Sequence, residues 1–418
     1  MTKYLEDKKA SHILIIVCFL TYTIIALTRN AYAAAIASIV AEGYFTKSDA
    51  GIVATSFSIT YCVSQIIGSY YVDRFSPFKV IFMGALVTIF ANIAMSLTPT
   101  YWVIFISRGL CGVAQFGIWP ALLRILSEYV NKEHRRVWRY ILPLGVTLGY
   151  VISYLAIAAI PEWRGIFTLS YISLAVATVI FVITVIYAQK KAVTLESKSE
   201  ISANEDNMTK KENTQNISVF RLLTSSGALI LMIPIFAQAL IGNGIGSWMP
   251  TMIMESYNVS PAISSIMTTI STAAKFVAVV WVMIFYPRVF KQQTTMMGML
   301  LLFAVPFLAS SIFIGKLPMI SVVVFITIIQ TFKGSIHQLN TVEIPKVYTK
   351  YNRSGMVAGL INAVATFAGV ISSWLWGWMA ESYSWDVIIT VWTVMALVSS
   401  LICFAVTPLW KKFSDSKI

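Results

Sequence analysis

The sequence predicts an all-α membrane protein with twelve transmembrane helices in two six-helix bundles. Three observations carry that prediction: an apolar composition, twelve apolar runs of bilayer length, and a one-sided distribution of lysine and arginine. Of the 418 residues, 57% are hydrophobic and 12% charged, against about 25% charged in soluble domains. The net charge of +13 raises nucleic acid as a partner. The basic residues fall at the ends of apolar runs, however, so the expected partner is the lipid bilayer and not nucleic acid. The cysteines Cys18, Cys62, Cys111 and Cys403 all lie in apolar runs without a C-x-x-C pair, a pattern that points to neither a disulfide framework nor a zinc site.

A membrane helix takes about 20 mostly apolar residues. Such runs fall at 12–36, 48–71, 77–97, 101–128, 137–159, 164–188, 225–252, 260–286, 293–314, 318–344, 354–379 and 384–409. The first is too long for a signal-peptide core and no small-residue cleavage site follows it, so a retained helix is expected. Leaving out the long middle segment, seventeen Lys and Arg fall on one set of connections, among them Lys8, Arg135, Arg288, Lys350 and Lys411; only Lys47, Arg164 and Lys316 fall on the other. That bias predicts an even number of spans in the cytoplasmic membrane with both termini in the cytoplasm. Residues 189–221 are polar and cannot bury a core. They divide the chain into an N-terminal bundle, 1–188, and a C-terminal bundle, 222–418. Six helices plus six is a plan of transporters that hold substrate between the halves near mid-membrane.

A charge at mid-bilayer costs about 2.5 kcal/mol or more and normally faces a cavity or a partner. Three cations lie well inside apolar runs: Arg29 in "ALTRNAYAAAI", Lys275 in span 8 and Lys333 in span 10, with His337 one turn beyond Lys333. No Asp or Glu lies comparably deep; Glu128 and Glu343 are near span ends. The missing negative charge is expected from an anionic substrate. Helical spacing places Tyr22 and Tyr32 with Arg29, Thr268, Ser271 and Thr272 with Lys275, and Gln330, His337 and Asn340 with Lys333, predicting wet faces. The competing readings are that Arg29 snorkels to the surface, that Lys275 is structural, and that Lys333 and His337 serve the carbonyls of a broken helix. Trp374, Trp376 and Trp378 fit packing or interfacial anchoring.

The pieces "TYTIIALTRNAY" and "EGYFTKSDAGIVATSFSITYCVSQIIGSYYVDRFSP" resemble the major facilitator superfamily and, within it, the organophosphate:phosphate antiporter family of glycerol-phosphate and hexose-phosphate transporters. "CGVAQFGIWPALLRILSEYVNKEHRR", "GIGSWMPTMI", "TVEIPK" and "SWD" extend the likeness over nearly the whole chain. The resemblance implies the major facilitator fold. It makes Arg29 the phosphate-binding arginine of span 1 and Tyr22 and Tyr61 tyrosines lining that site. It also marks departures. Asn243 stands where the family has its second site arginine, Gln65 where it has a lysine, Leu144 near a histidine, and Ser69 in place of a small residue of the inner loop. Lys275 and Lys333 are expected to restore the lost charge.

The expected function is a monomeric secondary transporter of a small organic anion (an organophosphate, sugar acid or carboxylate) working by alternating access. Anion exchange comes first, and proton symport through His337 second. A transporter-like sensor is the alternative from another class, and a drug or lipid exporter is a third reading. No catalytic residue, metal site or cofactor is expected, because the spans hold neither a nucleophile–base pair nor a metal cluster.

Overall fold

The computed structural model describes residues 3–415, apart from residues 6, 73–74, 131–134, 136, 139–140, 161, 192, 195–218, 287 and 352. The first half holds α1 (Lys8–Ala41), α2 (Lys47–Val72), α3 (Pro77–Leu97), α4 (Tyr101–Gln115), α5 (Ile118–Glu128), α6 (Leu144–Ala159) and α7 (Trp163–Lys191). The second holds α8 (Val219–Ser225), α9 (Ala228–Tyr257), α10 (Pro261–Phe285), α11 (Gln293–Ser311), α12 (Met319–Gln338), α13 (Ile344–Val347), α14 (Ser354–Ser382) and α15 (Trp385–Asp415). Two short strands, β1 (Lys3–Tyr4) and β2 (Val193–Thr194), pair antiparallel. Among the described residues, nine helical segments are long and apolar enough to cross a membrane, α4 with α5 counting as one. Helices α2, α6 and α10 occupy the other expected positions.

The segment ends differ from the sequence reading for local reasons. Helix α1 begins at Lys8, where the Asp7 carboxylate accepts from the Lys9 and Ala10 amides, an N-cap that extends the helix before its apolar run. It continues to Ala41 and ends at Gly43, whose φ is +75°. The span expected over 101–128 is broken at Phe116–Gly117. Pro120 explains the break, since it has no N–H for the Phe116 carbonyl and its ring crowds that carbonyl. The span expected over 318–344 leaves α geometry in a π-helical segment, Leu339–Glu343, just before Pro345, which likewise cannot donate backward. The expected 189–221 linker is shorter on both sides, because α7 runs to Lys191 and α8 begins at Val219. Residues 195–218 of it lie outside the described residues, as does the Ser69 side chain.

The helices alternate in direction, so one end of the molecule carries both termini and the other is the far end. Apolar packing divides along the same line. Leu14, Cys18, Phe78, Ile118 and Phe181 form a core in the first half near the terminal end. Leu231, Met296, Ile361 and Trp410 form a separate one in the second half. A third core draws on both halves at the far end, joining Ile36, Phe45 and Trp163 to Trp248, Trp376 and Trp392. The two halves therefore meet at the far end and part toward the termini.

Glycines set the closest helix approaches. A Cβ at Gly112 would strike Phe57 and Thr60 of α2, and one at Gly149 would strike Thr23 and Ala26 of α1. Small residues allow such backbone contact in membrane helices, and here they draw α2 and α6 against the middle of the first half.

Candidate functional site

Arg29 lies twelve residues before the far end of α1, about 18 Å at 1.5 Å per residue. Its Nε donates to Gln115 Oε1 at 3.0 Å. Gln115 is fully buried and reaches Thr28 and Thr88 at 3.4 Å. Gln115 is the last residue of α4 before the break, so Pro120 helps place the acceptor that orients the arginine. The guanidinium carbon stands 5.3 Å from the Tyr61 ring centre and 5.9 Å from that of Phe57. Next to Arg29, the Asn30 amide donates to Ser153 Oγ at 2.6 Å. That bond, with Gly149, locks α6 to α1 and brings Tyr150 within electrostatic reach of Arg29.

The Lys275 ammonium, from α10 of the second half, lies 5.7 Å from the centre of the same Tyr150 ring. Lys275 is fourteen residues from the far-end start of α10, about 21 Å, a depth close to that of Arg29. A cation from each half thus faces one tyrosine. Arg29 and Lys275 form no ion pair with a carboxylate among the described residues, and neither does Lys333.

The other expected site residues fall into distinct places. Tyr22 is buried and stacked on Trp119 with ring centres 5.5 Å apart, within electrostatic reach of Arg29. Tyr32 turns away from Arg29: it is fully buried, and its hydroxyl donates to the Ala50 carbonyl at 3.1 Å. Gln65 is half-buried on α2. Asn243 lies beside Gly369 of α14, and the Lys333 stem lies across the bare Gly242 on the neighbouring face of α9. Lys333 also borders a cavity of about 30 Å³ whose other walls include Gly242, Leu301, Phe332 and Ala396, so it sits toward the interior of its own half. His337 is exposed and within electrostatic reach of Lys333 and Lys275.

Much of the two expected wet faces is covered by neighbouring protein. Thr268, Ser271 and Thr272 are all buried on α10, which packs against α6. The Thr268 hydroxyl returns to the Ser264 carbonyl at 2.8 Å, as hydroxyls in helices do when no other acceptor is near. Gln330 and Asn340 are likewise buried.

Sequence reasoning missed Arg108 and Tyr150. Arg108 is 5% exposed, lies 4.7 Å from the Phe57 ring centre and 5.1 Å from that of Tyr32, and donates from Nη1 to the Arg29 carbonyl at 3.2 Å. Its place seven residues inside span 4 was the available signal. Tyr150 had none beyond being a tyrosine in an apolar run.

At the far end, polar contacts reinforce the shared core. Lys47 pairs with Glu255 at 3.0 Å, and the Trp385 indole donates to the same carboxylate at 2.8 Å. The Ser48 amide donates to Glu381 at 2.7 Å, and Tyr154 donates to the Gly246 carbonyl. Gly51 of α2 lies against the Ser373 carbonyl of α14. These contacts tie the two halves together at the far end.

The family model of the Major Facilitator Superfamily matches residues 18–336. A probable hexose phosphate transport protein of Chlamydia trachomatis is 28% identical over 29% of this chain and 26% of its own length. The membrane sensor protein UhpC of Salmonella typhimurium is 30% identical over 37% of this chain and 35% of its own. The chain therefore matches these curated relatives over only about a third of their length or less. Among solved structures, a D-xylose-proton symporter aligns over 96% of this chain and 98% of its own with a TM-score of 0.73 at 13% identity, a likeness of fold.

Proposed function

Since the chain belongs to the major facilitator superfamily, we propose that it is a secondary transporter that moves a small organic anion across the cytoplasmic membrane by alternating access, with twelve spans in two six-helix domains. One observation carries the reading: Arg29 of the first half and Lys275 of the second face each other across Tyr150 at similar depth, without carboxylate partners among the described residues. An anion entering between them neutralises both cations and draws the halves together. A ligand shifts a conformational equilibrium only by binding one state better than the other, and contact with both halves supplies that difference. With the termini in the cytoplasm, as the Lys and Arg distribution predicts, the packing of the halves at the far end supports an inward-facing state.

Arg29 offers a planar fork to an oxyanion and Lys275 a point charge. The hexose phosphate transport relative supports a phosphorylated sugar as the first anion to try. Exchange of one anion for another leads, because no carboxylate accompanies the cations among the described residues. Proton symport through His337 is second. Liposomes holding the purified protein and preloaded with glucose 6-phosphate should take up labelled glucose 6-phosphate or phosphate much faster than empty ones, with little response to a proton uncoupler. Fast uptake into empty liposomes that collapses with uncoupler, and is lost in His337→Gln, would reverse the order.

The likeness to a membrane sensor supports a second reading, in which the same site binds the anion without carrying it. Binding that is abolished by Arg29→Ala, with no flux for any bound anion, would favour the sensor.

A further inference from the structure

Pro250 leaves α9 with a carbonyl that its own helix cannot serve. In an α-helix the carbonyl of residue 246 takes the N–H of residue 250, and proline has none. Helix α9 nevertheless runs through Pro250 to Tyr257. The Gly246 carbonyl accepts instead from the Tyr154 hydroxyl, and Tyr154 belongs to α6 of the first half. The missing donor is thus supplied across the seam. Tyr154 is buried in the core that both halves share, where a backbone carbonyl without a partner is costly.

The position ties this bond to the cations. Gly246 lies eleven residues before the far end of α9, about 16 Å, close to the depth of Arg29. Tyr154 lies one helical turn from Tyr150, whose ring the Lys275 ammonium faces at 5.7 Å. We propose, resting on the alternating-access reading above, that Tyr154 is the polar catch of the far-end gate. Its hydroxyl replaces the N–H that Pro250 withholds, and it can do so only while the halves are together at that end. An ordinary residue at 250 would satisfy the Gly246 carbonyl whether the far end were open or shut. Proline makes that satisfaction depend on closure, so a local backbone defect becomes a bond between the halves. The partly exposed Lys47–Glu255 pair is weakened by solvent, whereas the Tyr154 hydroxyl is shielded from it.

The test measures the distance between spin labels at the far ends of α1 and α9, one in each half, on the purified full chain. Tyr154→Phe keeps the ring and removes the donor. It should raise the ratio of far-open to far-closed molecules about tenfold, the effect of leaving a buried carbonyl unmet. Tyr32→Phe is the control: it removes a buried hydroxyl that donates to the Ala50 carbonyl inside the first half, and should leave the ratio within about twofold. Pro250→Ala returns an intrahelical N–H to Gly246, and in that background Tyr154→Phe should change the ratio less than about threefold. The comparison with Tyr32→Phe stands even where Pro250→Ala does not fold. An unchanged ratio in Tyr154→Phe, an equal shift in Tyr32→Phe, or the full shift in the Pro250→Ala background overturns the catch, and the transporter reading stands if the unaltered protein carries anions into liposomes. A single far-end distance in every variant, with and without inorganic phosphate, together with no flux of phosphate or glucose 6-phosphate, overturns alternating access and the catch with it.

Discussion

Arg29 Nε donates to Gln115 Oε1 at 3.0 Å, so the arginine is held by its inner nitrogen, with the guanidinium 5.3 Å from the Tyr61 ring centre. Lysine has the charge but no nitrogen at that inner position. Arg29→Lys should therefore lose both the Gln115 anchor and the fork. Losing a charge-assisted hydrogen bond costs about 1.5–3 kcal/mol, so anion affinity should fall by about ten- to a hundredfold with membrane insertion intact. Wild-type transport by Arg29→Ala in liposomes would sink the assignment.

Lys275 and Lys333 are no longer equivalent. Lys275 faces Tyr150 at the seam between the halves, whereas Lys333 lies over Gly242 inside its own half. Lys275→Gln should weaken anion binding about tenfold, and Lys333→Gln less. Asn243→Ala should cost least. Gly242→Ala puts a methyl where the Lys333 stem runs, so it should disturb folding or transport more than Asn243→Ala does. Binding curves for the four variants check the order, and a larger loss from Lys333→Gln than from Lys275→Gln would reverse the roles.

Arg108 is expected to act on stability. It is sandwiched between Phe57 and Tyr32 and donates to the Arg29 carbonyl. Arg108→Ala removes buried packing and the guanidinium's hydrogen bond, while the mid-helix Arg29 carbonyl keeps its own backbone donor, and should lower stability by about 2–4 kcal/mol. Arg108→Met retains most of the volume and should cost less. The melting temperatures of the two variants in detergent decide it; equal values would show that packing around Arg108 contributes nothing.

The hydropathy pattern made the helices legible, and apolar context made Arg29, Lys275 and Lys333 stand out. What escaped the sequence was orientation. Tyr32 and Tyr22 share a helix face with Arg29 by spacing alone, yet Gly112 and Gly149 decide which neighbours come close enough to matter. The hydroxyls of α10 read as a wet face because spacing does not reveal that Thr268 bonds back to its own helix. Tyr150 became visible only once the Asn30–Ser153 bond had fixed α6 against α1, a pairing 123 residues apart in the chain.

Asp7 links the start of α1 to the end of α7 and responds to acid. It pairs with Lys191 at 2.5 Å and caps α1, and these contacts hold its carboxyl below the ordinary value of 3.8. A carboxyl with a lowered folded-state value stabilises the fold above its unfolded value, and that contribution is lost as pH falls through the lowered one. The contact should therefore be fully present at neutral pH and disappear only below about pH 4. Hydrogen exchange at Lys9 and Ala10 should rise in that range, and Asp7→Asn should remove the pH response.

The Lys47–Glu255 latch at the far end is partly exposed, and surface ion pairs contribute about 0–1 kcal/mol. Glu255→Gln, which also weakens the Trp385 contact, should shift the conformational balance only several-fold. Distances between spin labels at the far ends of α2 and α14 would report it. A complete switch of state would mean that the latch, not the apolar core, holds that end shut.

Trp248, Trp376 and Trp392 belong to a core shared by both halves at the far end, while the terminal end has a separate core in each half. The two halves of a working cycle consequently have unequal barriers. Opening toward the terminal side separates few packed surfaces; opening toward the far side must pull apart apolar faces at about 25 cal/mol for each Å² bared to water. In an alternating-access cycle the far-side step should therefore be the slower of the two. Mutations that thin the tryptophan packing should make such a protein faster and less discriminating, because its gate would open before a ligand had joined the two halves.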